Sequence, residues 1–96
     1  MLLHTINAGS STDSFRDCLR SSQSGDAIVL LGDGVYCALA NSAARQALDD
    51  CPARLLALAS DVFAAGIADR VGDVALIDMD AFVALSEFYP RQLAWY

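Results

Sequence analysis

The chain has 96 residues, of which 55% are hydrophobic and 19% charged; that composition fits one folded domain over residues 1–96 and excludes a disordered chain. Six arginines are outnumbered by twelve acidic residues, for a net charge of −6, which argues against direct contact with a nucleic-acid backbone or an anionic membrane surface. With no lysine there is no Walker-type phosphate loop and no Schiff base, and a lone histidine, His4, rules out polyhistidine metal sites.

Leu2 to Ile6 is a short apolar run that reads as a strand. Gly9 to Thr12 is a loop ending in a helix cap, with Asp13 well placed in the first turn. Phe15, Cys18 and Leu19 then share one helix face. After the turn at Gly25-Asp26, Ala27 to Leu31 is continuously apolar, as expected of a strand buried on both faces. Gly32-Asp33-Gly34 breaks it, Val35 to Ala40 is a short helical stretch, and Asn41-Ser42 restarts a helix that runs through Leu48 and stops at Cys51-Pro52. Leu55 to Leu58 is a third buried run. Ser60 is expected to cap a short helix, Val62 to Ala65, that Gly66 ends. Val74 to Ile77 is a fourth strand, Asp78 or Asp80 caps a helix over Ala81 to Phe88, and Gln92 to Trp95 is a fifth strand. This alternation predicts an α/β fold: a three-layer α/β/α arrangement around a mainly parallel five-stranded sheet.

No stretch reaches the roughly 18 apolar residues of a membrane span. The start MLLHTINAGSST lacks the basic region and long apolar core of a signal peptide, so a cytoplasmic location is expected. Cys18, Cys37 and Cys51 are expected to be thiols. Cys18 lies on an apolar helix face with no cation in reach, which favours packing. Cys37 follows the glycine turn near the start of a helical stretch, where backbone N–H groups favour a thiolate; Cys51 reads as exposed and incidental. His4 reads as a hydrogen-bonded structural histidine. The Gly32-Asp33-Gly34 turn is at the end of a central strand, where such sheets place ligands, yet it reads better as architecture. The carboxylates Asp49, Asp50, Asp69, Asp73, Asp78 and Asp80 read as caps and solubilising groups. No cofactor or metal is expected. The apolar excess of so small a domain points to a covered interface.

Leu3-His4-Thr5-Ile6-Asn7, Gly25-Asp26-Ala27-Ile28-Val29-Leu30-Leu31, Asp33-Gly34-Val35, Ala64-Ala65-Gly66 and the closing Ala94-Trp95 together resemble the DsrH/TusB family of sulfur-relay subunits over nearly the whole chain. The resemblance implies a DsrE-like fold. It also implies assembly with TusC/DsrF-like and TusD/DsrE-like subunits as a dimer of heterotrimers that takes persulfide sulfur from a TusA-like donor to a TusE-like acceptor. In that relay the sulfur ends in the 2-thio group of tRNA wobble uridine; in the Dsr branch a related complex serves sulfur oxidation. The main sulfur-carrying cysteine belongs to the TusD/DsrE-like subunit. Cys18, within Asp17-Cys18-Leu19, matches a cysteine position of DsrH-type members, which makes it the catalytic candidate of this chain. Cys37 falls where the family tends to have a small apolar residue. The resulting expectation is a mainly structural relay subunit that contacts neither nucleic acid nor membrane and that, isolated, can form homo-oligomers. Its rivals are Cys18 as a persulfide carrier, and a free-standing α/β ligand-binding or regulatory module.

Overall fold

A computed structural model describes residues 1–96. Five strands, β1 (Leu2–Ile6), β2 (Ala27–Leu30), β3 (Arg54–Leu58), β4 (Ala75–Ile77) and β5 (Arg91–Trp95), form one sheet in the order β4-β3-β2-β1-β5. Every pairing is parallel. The helices are α1 (Asp13–Ser21), α2 (Ala43–Asp49), α3 (Ala59–Ala64) and α4 (Met79–Phe88), with a 3-10 segment over Gly32–Ala38. The fold class expected from the sequence is the one observed. No helix is long and apolar enough to cross a membrane.

The strand order accounts for the layers. From β1 to β4 each crossover steps the same way across the sheet, so the right-handed rule puts the intervening helices on one face. The last crossover, β4 to β5, returns in the opposite direction and leaves α4 on the other face. The cores follow suit. Ile6, Ile28, Leu30 and Ala57 pack with Phe15, Cys18, Leu48 and Val62 in a large cluster. On the opposite side Leu3, Ala27, Val29 and Leu56 meet Phe82, Leu85 and Tyr89 of α4 and its end, with Ile77 of β4 beside them.

Caps set the helix starts: Thr12 accepts from the Phe15 amide, Ser42 from Arg45 and Asp78 from Ala81. α3 departs from expectation. It begins at Ala59, directly after β3, with Leu58 at its N-cap and no side-chain cap; Ser60 lies inside its first turn. The stretch after β2 is 3-10 and starts at Gly32 itself. Gly32 takes φ +53°, in the left-handed region. At Gly34 a Cβ would lie 2.1 Å from the Ile6 carbonyl oxygen, so only glycine lets this segment cross the end of β1.

Candidate functional site

At the carboxyl ends of the central strands, the turn after β2 is the natural place for an anion. Its amides are already engaged. Gly32 donates to Asp61 Oδ2 at 2.7 Å, Asp33 to Asn7 Oδ1 at 3.1 Å, and Gly34 to the Leu31 carbonyl at 2.9 Å. With a carboxylate, a carboxamide and a backbone carbonyl accepting from them, these amides are not free to cradle a phosphate, so the turn is architecture, as its sequence suggested.

Cys18 is fully buried on the inner face of α1, among the large cluster. Burial in apolar surroundings pushes its thiol up to about 12, against a smaller lowering by Ser22. Cys37 is equally enclosed, and burial pushes it up to about 11. It falls in the last turn of the 3-10 segment, not near its start, so the expected help from a helix N-terminus is missing; its sulfur points to the Ala8 carbonyl at 3.8 Å. Cys51 is half-buried, in the turn after α2, and rests against the same core. In the folded chain a soluble thiol reagent at mildly alkaline pH should therefore modify Cys51 alone, with Cys18 and Cys37 reacting only after denaturation; mass spectrometry of the digested adduct checks this, and native labelling of Cys18 would contradict it.

His4 is fully buried and belongs to a polar chain between the sheet and its edges. Trp95 Nε1 donates to His4 Nδ1 at 3.1 Å, and His4 Nε2 is 3.0 Å from Asp26 Oδ2. An indole N–H can only donate, so Nδ1 accepts and Nε2 carries the proton toward Asp26. Asp26 also accepts from the Leu2 amide at 2.8 Å and the Gln23 amide at 3.0 Å. Burial pushes its pKa up, but the bond from His4 and the two amides outweigh it and hold the carboxyl below its ordinary value. The histidine is structural, as read from the sequence; its buried carboxylate and indole partners were not foreseen.

A second polar centre escaped sequence reasoning altogether. Arg45 is buried. Its Nη1 donates to the carbonyls of Ala38 at 2.7 Å and Val71 at 2.5 Å, Nη2 to Asp73 at 2.8 Å, and Nε to Asp49 at 3.1 Å. Asp49 and Asp73, read as caps or solubilising groups, are partners of this guanidinium. The available signal was spacing: Arg45 is one turn before Leu48, on the inward face of α2.

These groups do not converge. Cys18 and Cys37 share one core cluster and Asp26 lies near enough to Cys18 to help raise its thiol, but no hydrogen bond joins Cys18, Cys37 and His4, and no three His, Cys, Asp or Glu side chains are placed to hold a metal ion. The surface is more informative. At about 4.8 Å spacing five strands span roughly 20 Å, and one helix about 10 Å wide covers about half of that. On its face of the sheet α4 is alone. It has no buried residue, and Met79, Val83 and Phe88 are 54%, 46% and 68% exposed. Between α4 and the β3–β4 edge runs an apolar groove of about 420 Å³, lined by Leu56, Ile77, Ala81, Leu85 and Phe88 among others.

Fold and site together define a small parallel α/β protein with two of its three thiols enclosed and one sheet face half uncovered. The family model described as DsrH like protein matches residues 9–92. Protein TusB of Salmonella arizonae and Protein TusB of Salmonella typhimurium are each 36% identical over 95 residues, 98% of this chain and 100% of theirs. The solution NMR structure of protein Tm0979 from Thermotoga maritima is similar at a TM-score of 0.70 and 28% identity, covering 92% of this chain and 93% of that one. The chain belongs to the DsrH/TusB family of sulfur-relay subunits.

Proposed function

We propose that this chain is the structural TusB-like subunit of a cytoplasmic heterohexameric relay. It holds TusC/DsrF-like and TusD/DsrE-like siblings, and the assembly passes persulfide sulfur from a TusA-like donor to a TusE-like acceptor for 2-thiolation of tRNA wobble uridine. The half-covered face beside α4 carries this reading: an isolated sheet of this size would need a second helix there, and a sibling subunit can supply it. The enclosure of Cys18 and Cys37 supports a holding role rather than a carrying one. The acidic surface suits transient contact with basic carriers.

Co-expression with the sibling chains tests the assembly. One stable complex containing all three is the expected result, and a chain that ignores its siblings would favour a free-standing module. Sulfur carriage by Cys18 is tested in the same complex. Its thiolate would attack the sulfane sulfur of a donor persulfide, forming Cys18–S–SH and releasing the donor thiolate. After incubation with loaded donor we expect no added sulfur mass on Cys18 and intact transfer by the Cys18→Ala complex. Added mass and lost transfer would make Cys18 a carrier. Recovery of sulfur-oxidation partners instead would assign the complex to the Dsr branch.

A further inference from the structure

We propose that Cys51 and Cys18 form a redox pair, in which Cys51 takes up a small-molecule disulfide from solvent and Cys18 resolves it by closing a Cys18–Cys51 bridge. The pair is independent of the relay reading. The two thiols differ in access but share a place in the fold. Cys18 is fully buried on the inner face of α1, and Cys51 is half-buried in the turn after α2, packed against the same core. Bonds near the amino ends of β2 and β3 draw their segments together. The Ser22 hydroxyl donates to the Cys18 carbonyl at 2.7 Å, and the Arg54 amide, just past Cys51 in the chain, donates to the Asp26 carbonyl at 3.0 Å. Cys51 is near enough that its charge helps to raise the Cys18 thiol, whereas Cys37 is raised by burial alone. Cys51, Pro52 and Ala53 belong to no helix or strand, which leaves this turn free to reach the Cα separation below about 7 Å that a disulfide requires.

The Cys51 thiolate attacks one sulfur of the small disulfide RS–SR, giving Cys51–S–SR and RS−, which takes up the proton that Cys51 released. The Cys18 sulfur then attacks the Cys51 sulfur, forms the bridge and expels the second RS−, which takes the Cys18 proton. The pair loses two electrons and two protons, and RS–SR is reduced to two RSH. The raised Cys18 thiol keeps its thiolate scarce, so the second step is the slower. The bridge pins α1 to the turn before β3 and removes the one thiol that is not fully enclosed.

Peptide mapping of the full chain after exposure to glutathione disulfide tests this. Cleavage after arginine puts each cysteine in its own peptide: Cys18 in 17–20, Cys37 in 21–45 and Cys51 in 46–54. The reduced chain is incubated at mildly alkaline pH, quenched in acid at intervals and alkylated at its remaining thiols. Early samples should carry glutathione on 46–54 alone. Later samples should show 17–20 joined to 46–54 within one chain, the mass lower by two hydrogens, with 21–45 alkylated. Cys18→Ala should stop at the mixed disulfide on Cys51, Cys51→Ala should leave Cys18 unmodified, and Cys37→Ala should close the bridge at the wild-type rate. Circular dichroism confirms that each variant is folded, and the wild-type map reads the bridge directly should one of them fail to fold. A wild-type chain that leaves Cys51 unreacted, holds glutathione there without closing, links Cys37 or joins two chains overturns the proposal. So does glutathione on Cys18 in folded Cys51→Ala.

Discussion

Arg45→Ala is expected to lower the unfolding free energy by about 3 kcal/mol, a large share of the roughly 5–15 kcal/mol typical of a domain. Two kinds of contact are lost, and they differ in weight. Asp49 and Asp73 are solvent-facing and rehydrate once the guanidinium is gone, so their ion pairs count for little. The carbonyls of Ala38 and Val71 bond to the buried Nη1. Without Arg45 those two acceptors are left facing a cavity, and the cost of stranding them dominates. The guanidinium also joins α2, the end of the 3-10 segment and the loop before β4. Arg45→Lys should recover little, because one ammonium cannot reproduce the fork. Urea denaturation of Arg45→Ala beside Asp73→Asn decides the matter: equal losses in the two variants would mean that the exposed ion pair, and not the carbonyl bonds, carries the effect.

Asp26→Asn is expected to cost about 2 kcal/mol at neutral pH, although it changes the shape of the side chain hardly at all. Asp26 receives three donors: the Leu2 amide, the Gln23 amide and the His4 Nε2–H. A carboxamide offers one oxygen and one NH2, so one arm of the substituted side chain would point a donor at donors. Reversing the His4 tautomer would relieve that conflict only by turning Nδ1–H against the Trp95 indole N–H. The frustration moves along the chain and is not removed. The same bonds set the acid response. The folded-state pKa of Asp26 lies below that of a free carboxylate. Its stabilisation is therefore complete above the unfolded carboxylate pKa, about 3.9, and is lost as pH falls through the lower folded-state value. Trp95 is the only tryptophan and hydrogen-bonds His4, so its fluorescence reports the transition directly. The acid-side loss of stability should be shallower in Asp26→Asn than in wild type. Superimposable pH profiles would show that the carboxylate contributes nothing to acid unfolding.

Much of the fold was legible because the buried strands are written locally. Ala27 to Leu30 and Leu55 to Leu58 are unbroken apolar runs between turn residues, and the caps Thr12, Ser42 and Asp78 are adjacent in sequence to the helices they start. The error at α3 has a local cause. Ser60 looks like a cap, but the chain leaves β3 already turning, so the helix starts at Ala59 without one. Cys37 was misplaced for a related reason: the glycine turn is itself the first turn of the 3-10 segment, which carries Cys37 to its far end.

The sequence alone determined the alternation of strands and helices, the parallel sheet that follows from it, the structural character of His4 and the family. Periodicity, turn residues and an ordered set of short motifs are properties of neighbouring positions, and they survive without coordinates. Tertiary structure alone decided which partners His4 and Arg45 have, that Cys18 and Cys37 are sealed in, and that α4 stands by itself on its face. Those depend on contacts between residues far apart in the chain, such as His4 with Trp95 and Arg45 with Val71, and on the direction in which the last crossover returns across the sheet. Sequence spacing records neither.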